Sequence, residues 1–93
     1  MVIGSLELEL FISHAQSLKE KRSVVRRIVD RVRNKFNVSV AEVDCLDLHQ
    51  RAVIGVVAVS NDQKFTNSVL NQVHRFVEGL FLAEVIGVQM MFY

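Results

Sequence analysis

Hydrophobic and polar positions alternate from Val2 to Ser13. Leu6, Leu8, Leu10 and Ile12 fall on one side, and Ser5, Glu7, Glu9 and Phe11 on the other. A period of two with one apolar face predicts a strand in an antiparallel sheet covered on one side only. The pattern changes at Ser17. The run Ser17-Leu-Lys-Glu20 has the spacing of a capping box, in which serine and glutamate satisfy the first free amides of a helix reciprocally. Beyond it, Leu18, Val25, Ile28, Val29, Val32 and Phe36 share one stripe at 100° per residue, with Val24 at its edge. This predicts a helix ending between Asn34 and Asn37. Residues 38–45 and 51–60 read as two further strands joined by a hairpin at Asp47–Gln50. The second of them is apolar on both faces, as an interior strand requires. A second helix is expected from Ser60–Asp62, with Ser60 and Gln63 again at capping-box spacing. Phe65, Val69, Val73, Phe76, Val77 and Leu80 form its apolar face, and Gly79 is placed to supply a left-handed residue at its end. Residues 82–92 form the last strand.

The order is strand–helix–strand–strand–helix–strand. Right-handed crossovers fold this α+β sequence into a ferredoxin-like βαββαβ domain. Its four-stranded antiparallel sheet has the order 4-1-3-2, with both helices on one face. With 93 residues there is room for a single domain, residues 1–93.

Composition narrows the class. Hydrophobic residues reach 51%, yet no apolar run approaches the ~18 residues of a membrane span. The chain starts at once in a strand pattern without the basic and apolar regions of a signal peptide. Cys45 is the only cysteine, so neither an internal disulfide nor a CxxC metal pair is available. The expected compartment is the cytoplasm. The net charge of +1 conceals a strong polarity. Residues 19–35 hold eight basic and two acidic side chains, and the remainder of the chain is acidic by five charges.

Three strings carry a family resemblance: Ser17-Leu-Lys-Glu-Lys-Arg22, Asn34-Lys-Phe-Asn-Val-Ser-Val-Ala-Glu-Val-Asp44 and Asp47-Leu-His-Gln-Arg-Ala-Val-Ile-Gly55. Over nearly its whole length the chain resembles the YlxP-like family of small bacterial proteins, whose domain (503) has no assigned function. The resemblance implies a ferredoxin-like fold. It also implies a role near the ribosome, because genes of the family often neighbour those of translation initiation and ribosome maturation factors. At the hairpin the chain departs from the family pattern, with His49 at a position that is usually aromatic.

The basic helix is the principal candidate site. Lys19, Arg22, Arg26 and Arg33 fall within about 60° of one another on the helical wheel. Lys19, Lys21 and Arg22 crowd the first turn, where the helix dipole already favours anions. Lys19, Lys21, Arg22, Arg26 and Arg33 are therefore the expected phosphate or RNA ligands. The bland alternative is a solvated face neutralised by Asp30 pairing with Arg27 and Arg33. An RNA-recognition motif shares this topology, but its base-stacking aromatics are absent from the strand Arg51–Ser60. Phe11, Val53, Val57 and Val59 are expected on the uncovered sheet face. A greasy face of this kind predicts a homodimer or higher oligomer through that face or an edge strand. His14, Asp47 and His49 are expected at one end of the sheet, in a spacing that matches no metal pattern. No P-loop, GxGxxG, GxSxG or HExxH motif is present, so no enzyme, cofactor or metal is expected. The leading expectation is an RNA- or ribosome-associated accessory module. The second is a protein-interaction or small-ligand-sensing oligomeric module.

Overall fold

A computed structural model describes residues 1–93. Its elements are β1 (Val2–Phe11), α1 (Leu18–Lys35), β2 (Ser39–Asp44), β3 (Arg51–Ser60), α2 (Gln63–Gly79) and β4 (Glu84–Phe92). They form one antiparallel sheet in the order β2-β3-β1-β4, which is the expected 4-1-3-2 order read from the other edge. The two interior strands are the two ten-residue strands, and they pair from Val2↔Ser60 to Phe11↔Arg51.

The alternation in β1 places Leu6, Leu8 and Leu10 fully under the helices, and Ile12 follows them. From β3 come Ala52, Ile54, Val56 and Ala58; from α1 come Val24, Val25, Ile28 and Val32; from α2 come Leu70, Val73 and Val77. Each buried leucine or isoleucine contributes about 1.5–3 kcal/mol from apolar surface removed from water. α2 packs mainly over β1 and β3, and α1 over β2. The close seat of α2 depends on Gly4, where a Cβ would come within 2.6 Å of Thr66 Cγ2 and 3.0 Å of Leu70 Cδ1. The helices meet through Phe36 and Phe76, edge to face at 5.5 Å.

Local chemistry explains the boundaries. Ser17 caps α1 by accepting from the Glu20 amide at 3.1 Å, as the capping-box spacing predicts. The reciprocal bond shifts by one residue, since Glu20 accepts from the amide of Gln16. At α2 the cap is Asp62, which accepts from the Lys64 amide; Ser60 supports it by accepting from the Asp62 amide. Ser60 thus braces the turn instead of capping the helix. The left-handed residue beyond α2 is Phe81 (φ 54°), while Gly79 stays helical as the last residue of the element. Leu80 continues in a right-handed conformation, which moves the reversal one step past the glycine. Two register shifts bend the outer strands. One lies in β2 between Glu42 and Asp44, and the other is opposite Glu9/Leu10 in β4, where Ile86 is the extra residue.

Candidate functional site

α1 rests on the sheet with one flank turned to α2 and the other to the β2 edge. Lys35 fixes the first flank, its ammonium lying 5.3 Å from the Phe76 ring centroid. Arg33 fixes the second by donating from Nη2 to the Val40 carbonyl of β2 at 3.1 Å. Lys19, Arg22 and Arg26 share the Arg33 flank by helical spacing, and all three are exposed. Over the 14 steps from Lys19 to Arg33 this basic flank runs about 21 Å.

Pairing separates these cations. The molecule contains three ion pairs, Lys21–Glu42, Arg33–Asp30 and Arg51–Glu9, and His74 Nε2 lies 3.4 Å from Glu78 Oε1. Asp30 therefore neutralises part of Arg33, at 3.7 Å, but does not pair with Arg27. Lys19, Arg22, Arg26, Arg27 and Arg31 enter no ion pair. The solvated-face alternative accounts for Arg33 and leaves the other arginines of α1 without carboxylate partners.

Lys21 corrects the expectation for the first turn. It is 0% exposed and points into the protein, away from the surface of Lys19 and Arg22. Its ammonium donates to Glu42 Oε2 at 2.7 Å and lies within hydrogen-bond distance of the carbonyls of Cys45 (3.0 Å), Leu46 (3.3 Å) and Arg51 (3.3 Å). A buried ammonium is tolerated only when paired and hydrogen-bonded, and this one is surrounded by four acceptors. It cannot serve as a phosphate ligand from that position. Cys45 adopts φ 59°, an unusual conformation for a residue with a side chain, and its carbonyl accepts from the Leu48 amide at 3.1 Å as well as from Nζ. With Lys21 withdrawn and Glu20 on the Gln16 amide, Lys19 and Arg22 are the first-turn cations that face solvent.

The signal for Lys21 is present in the sequence. It stands four residues before Val25 and seven before Ile28, inside the apolar stripe. Its partner Glu42 stands two residues after the buried Val40, on the inward face of β2. A charge at each of two inward positions marks an internal pair.

The uncovered sheet face falls into zones set by the register. Val57, Val59, Ile3, Met91 and Tyr93 gather at one end. Glu7 and Glu9 occupy the middle, Glu9 bound to Arg51 at 3.1 Å. Phe11 lies at the far end, opposite Arg51. Phe11 and Val53 do face the same side as Val57 and Val59, but the glutamates divide the apolar surface. No aromatic stands in the centre to stack a base. His14 and His49 line separate hollows on either side of Phe11, and Asp47 lines neither. The three do not converge, and no cluster of three potential metal-ligating side chains is formed. No helix is long and apolar enough to cross a membrane.

Comparisons with known proteins agree with this architecture. The family model described as "Protein of unknown function (DUF503)" matches residues 3–90. A relative from Bacillus subtilis (strain 168), named uncharacterized protein YlxP, is 46% identical over 77 residues, spanning 83% of this chain and 84% of that protein. Among solved structures, a de novo designed protein with a ferredoxin fold superposes with a TM-score of 0.58 at 11% identity, covering 100% of this chain and 84% of that one. The de novo designed protein Foldit4 gives a TM-score of 0.51 at 16% identity over 99% of this chain and 94% of its own. At these identities the likeness is one of fold.

Proposed function

This chain belongs to the DUF503 family, and we propose that it is an RNA- or ribosome-associated accessory module that grips phosphate backbone along α1. The observation that carries this reading is the row of exposed α1 cations outside every ion pair: Lys19, Arg22 and Arg26 on the β2 flank, with Arg27 and Arg31 further round. Such a row gains free energy on binding because it replaces condensed counterions as the partner of the phosphates and releases them to solution. Arginine adds bidentate geometry toward phosphate oxygens. Arg33 extends the row beside the β2 edge, held in place by Val40 and Asp30. The open sheet face lacks a stacking platform, so the expected recognition follows backbone shape and charge and tolerates changes of base sequence. Binding, and not catalysis, is the proposed activity, and the cytoplasm is the compartment that goes with it.

The test is fluorescence anisotropy with labelled ribosomal-RNA fragments at two salt concentrations, using wild type and the Arg22→Ala/Arg26→Ala variant. Wild type is expected to bind with a steep salt dependence, and the variant to lose about two units of log–log slope. Both arginines are exposed and unpaired, so the variant keeps the fold. Absence of binding at low salt, or an unchanged slope in the variant, overturns the reading.

A further inference from the structure

The two edges of the sheet are built differently. β2 is short, with six residues; it carries Glu42 and Asp44, contains a register shift, and has its Val40 carbonyl taken by Arg33. These are the devices by which sheet edges are kept from pairing with other chains. β4 is nine residues long and hydrogen-bonded on one side only, to β1. Its one charge is Glu84 at the start, and neither lysine nor proline interrupts it. The extra residue Ile86 disturbs its beginning. From Gly87 to Phe92 the strand is regular and uncharged, with Val88 50% and Met91 44% exposed.

We propose that the β4 edge is completed by β4 of a second copy of this chain, joining two four-stranded sheets into one of eight strands. The register identifies which residues face the same way. Val88, Met90 and Phe92 lie on the helix side opposite Leu8, Leu6 and Gly4, while Gly87, Gln89 and Met91 lie on the open side. An antiparallel pair with its two-fold axis at Gln89 keeps these sides matched. It sets Val88 against Met90 of the second copy and Gly87 against Met91, with no charge facing a like charge.

The flanking charges complement the same arrangement. Thr66 packs on Gly4, the partner of Phe92, so Lys64 at the start of α2 lies toward the Phe92 end of β4. Glu78 and Glu84 line one hollow at the opposite end. Lys64 and Glu78 fall within about 40° of each other on the α2 wheel, and Glu78 is turned away from the Phe76 flank that meets α1. Antiparallel pairing brings the Glu78/Glu84 end of each copy toward Lys64 of the other. A strand contact about 30 Å long with side chains on both faces buries on the order of 1,000 Å², the low end for specific association. The dimer therefore belongs with weak, concentration-dependent associations.

Sedimentation equilibrium of the full chain tests this directly. Wild type is expected to approach twice 10.6 kDa as its concentration rises toward about 100 μM. Gln89→Lys sets two ammonium groups against each other at the axis and is expected to weaken association about fivefold. Val59→Lys, on the open face two strands from β4, is expected to leave it unchanged. Gln89 and Val59 are both exposed, so both variants keep the fold. A wild type that stays monomeric at about 100 μM, a Gln89→Lys variant that associates like wild type, or a Val59→Lys variant that dissociates would each overturn the proposal.

Discussion

The half of the molecule built from α1 and β2 and the half built from α2 and β4 share one core but are finished by different forces. On the α1/β2 side, a buried ammonium ties the helix to the strand and to the loop that follows it. Arg33 closes the same border from the other end of the helix. On the α2/β4 side the contact is almost wholly apolar, and its tightness comes from a glycine that lets Thr66 and Leu70 approach the sheet. Charge pins the first half in one geometry and leaves its border closed to other chains. Packing seats the second half and leaves its outer strand without a partner. A single small sheet thus has a basic flank at one border, where we propose that phosphate binds, and at the other an unpaired strand edge.

The largest expected effect comes from breaking the charged half. Lys21→Met leaves Glu42 largely buried without a cation and strips a donor from three carbonyls. A loss of about 3–5 kcal/mol is expected in urea unfolding. Adding Glu42→Leu removes the stranded carboxylate and should restore part of that loss; the remainder measures what the carbonyls of Cys45, Leu46 and Arg51 gain from Nζ. Gly4→Ala strikes the packed half, since its Cβ would overlap Thr66 Cγ2. It should cost about 1–3 kcal/mol, as overpacking does, with a near-ultraviolet dichroism change reporting the shift of Phe92, whose Cε1 is 3.2 Å away. The smallest effect sharpens the comparison at the helix starts. Ser17→Ala and Asp62→Ala each remove one capping acceptor and should lower the unfolding free energy by about 1 kcal/mol apiece, showing that the two helices are begun equally well and differ in how they are held.

Much of this plan is legible in the sequence, for a physical reason. Alternation over Val2–Ser13 and the 3.6-residue stripe of α1 report burial, and burial is what the sheet and its helix layer satisfy. The strand Arg51–Ser60 is bounded as expected because apolar residues on both faces suit only an interior strand. Last-turn and loop details are less legible. A glycine at position 79 permits a left-handed conformation without requiring it, and the chain turns at Phe81 instead. Ser60 and Asp62 are both good caps, and only the path of the backbone selects Asp62. His14, Asp47 and His49 sit in connections whose course no periodicity fixes. Lys21 is different, because its inward position can be read from Val25 and Ile28. Charge alone would place it on the surface with Lys19 and Arg22.

The Lys21 cluster also sets an order of events. Its ammonium joins position 21 to positions 42, 45, 46 and 51, so these contacts form only after the chain has closed a loop of 21 residues or more. Local helix formation cannot secure them, and the left-handed turn at Cys45, held locally by its amide on Asp44 Oδ1 and by the Leu48 amide on its carbonyl, is tied to α1 only once Nζ arrives. The first turns of α1 and the 45–50 connection therefore open and close as one cooperative unit, and native-state hydrogen exchange should find amides on both sides of the cluster slowing and quickening together.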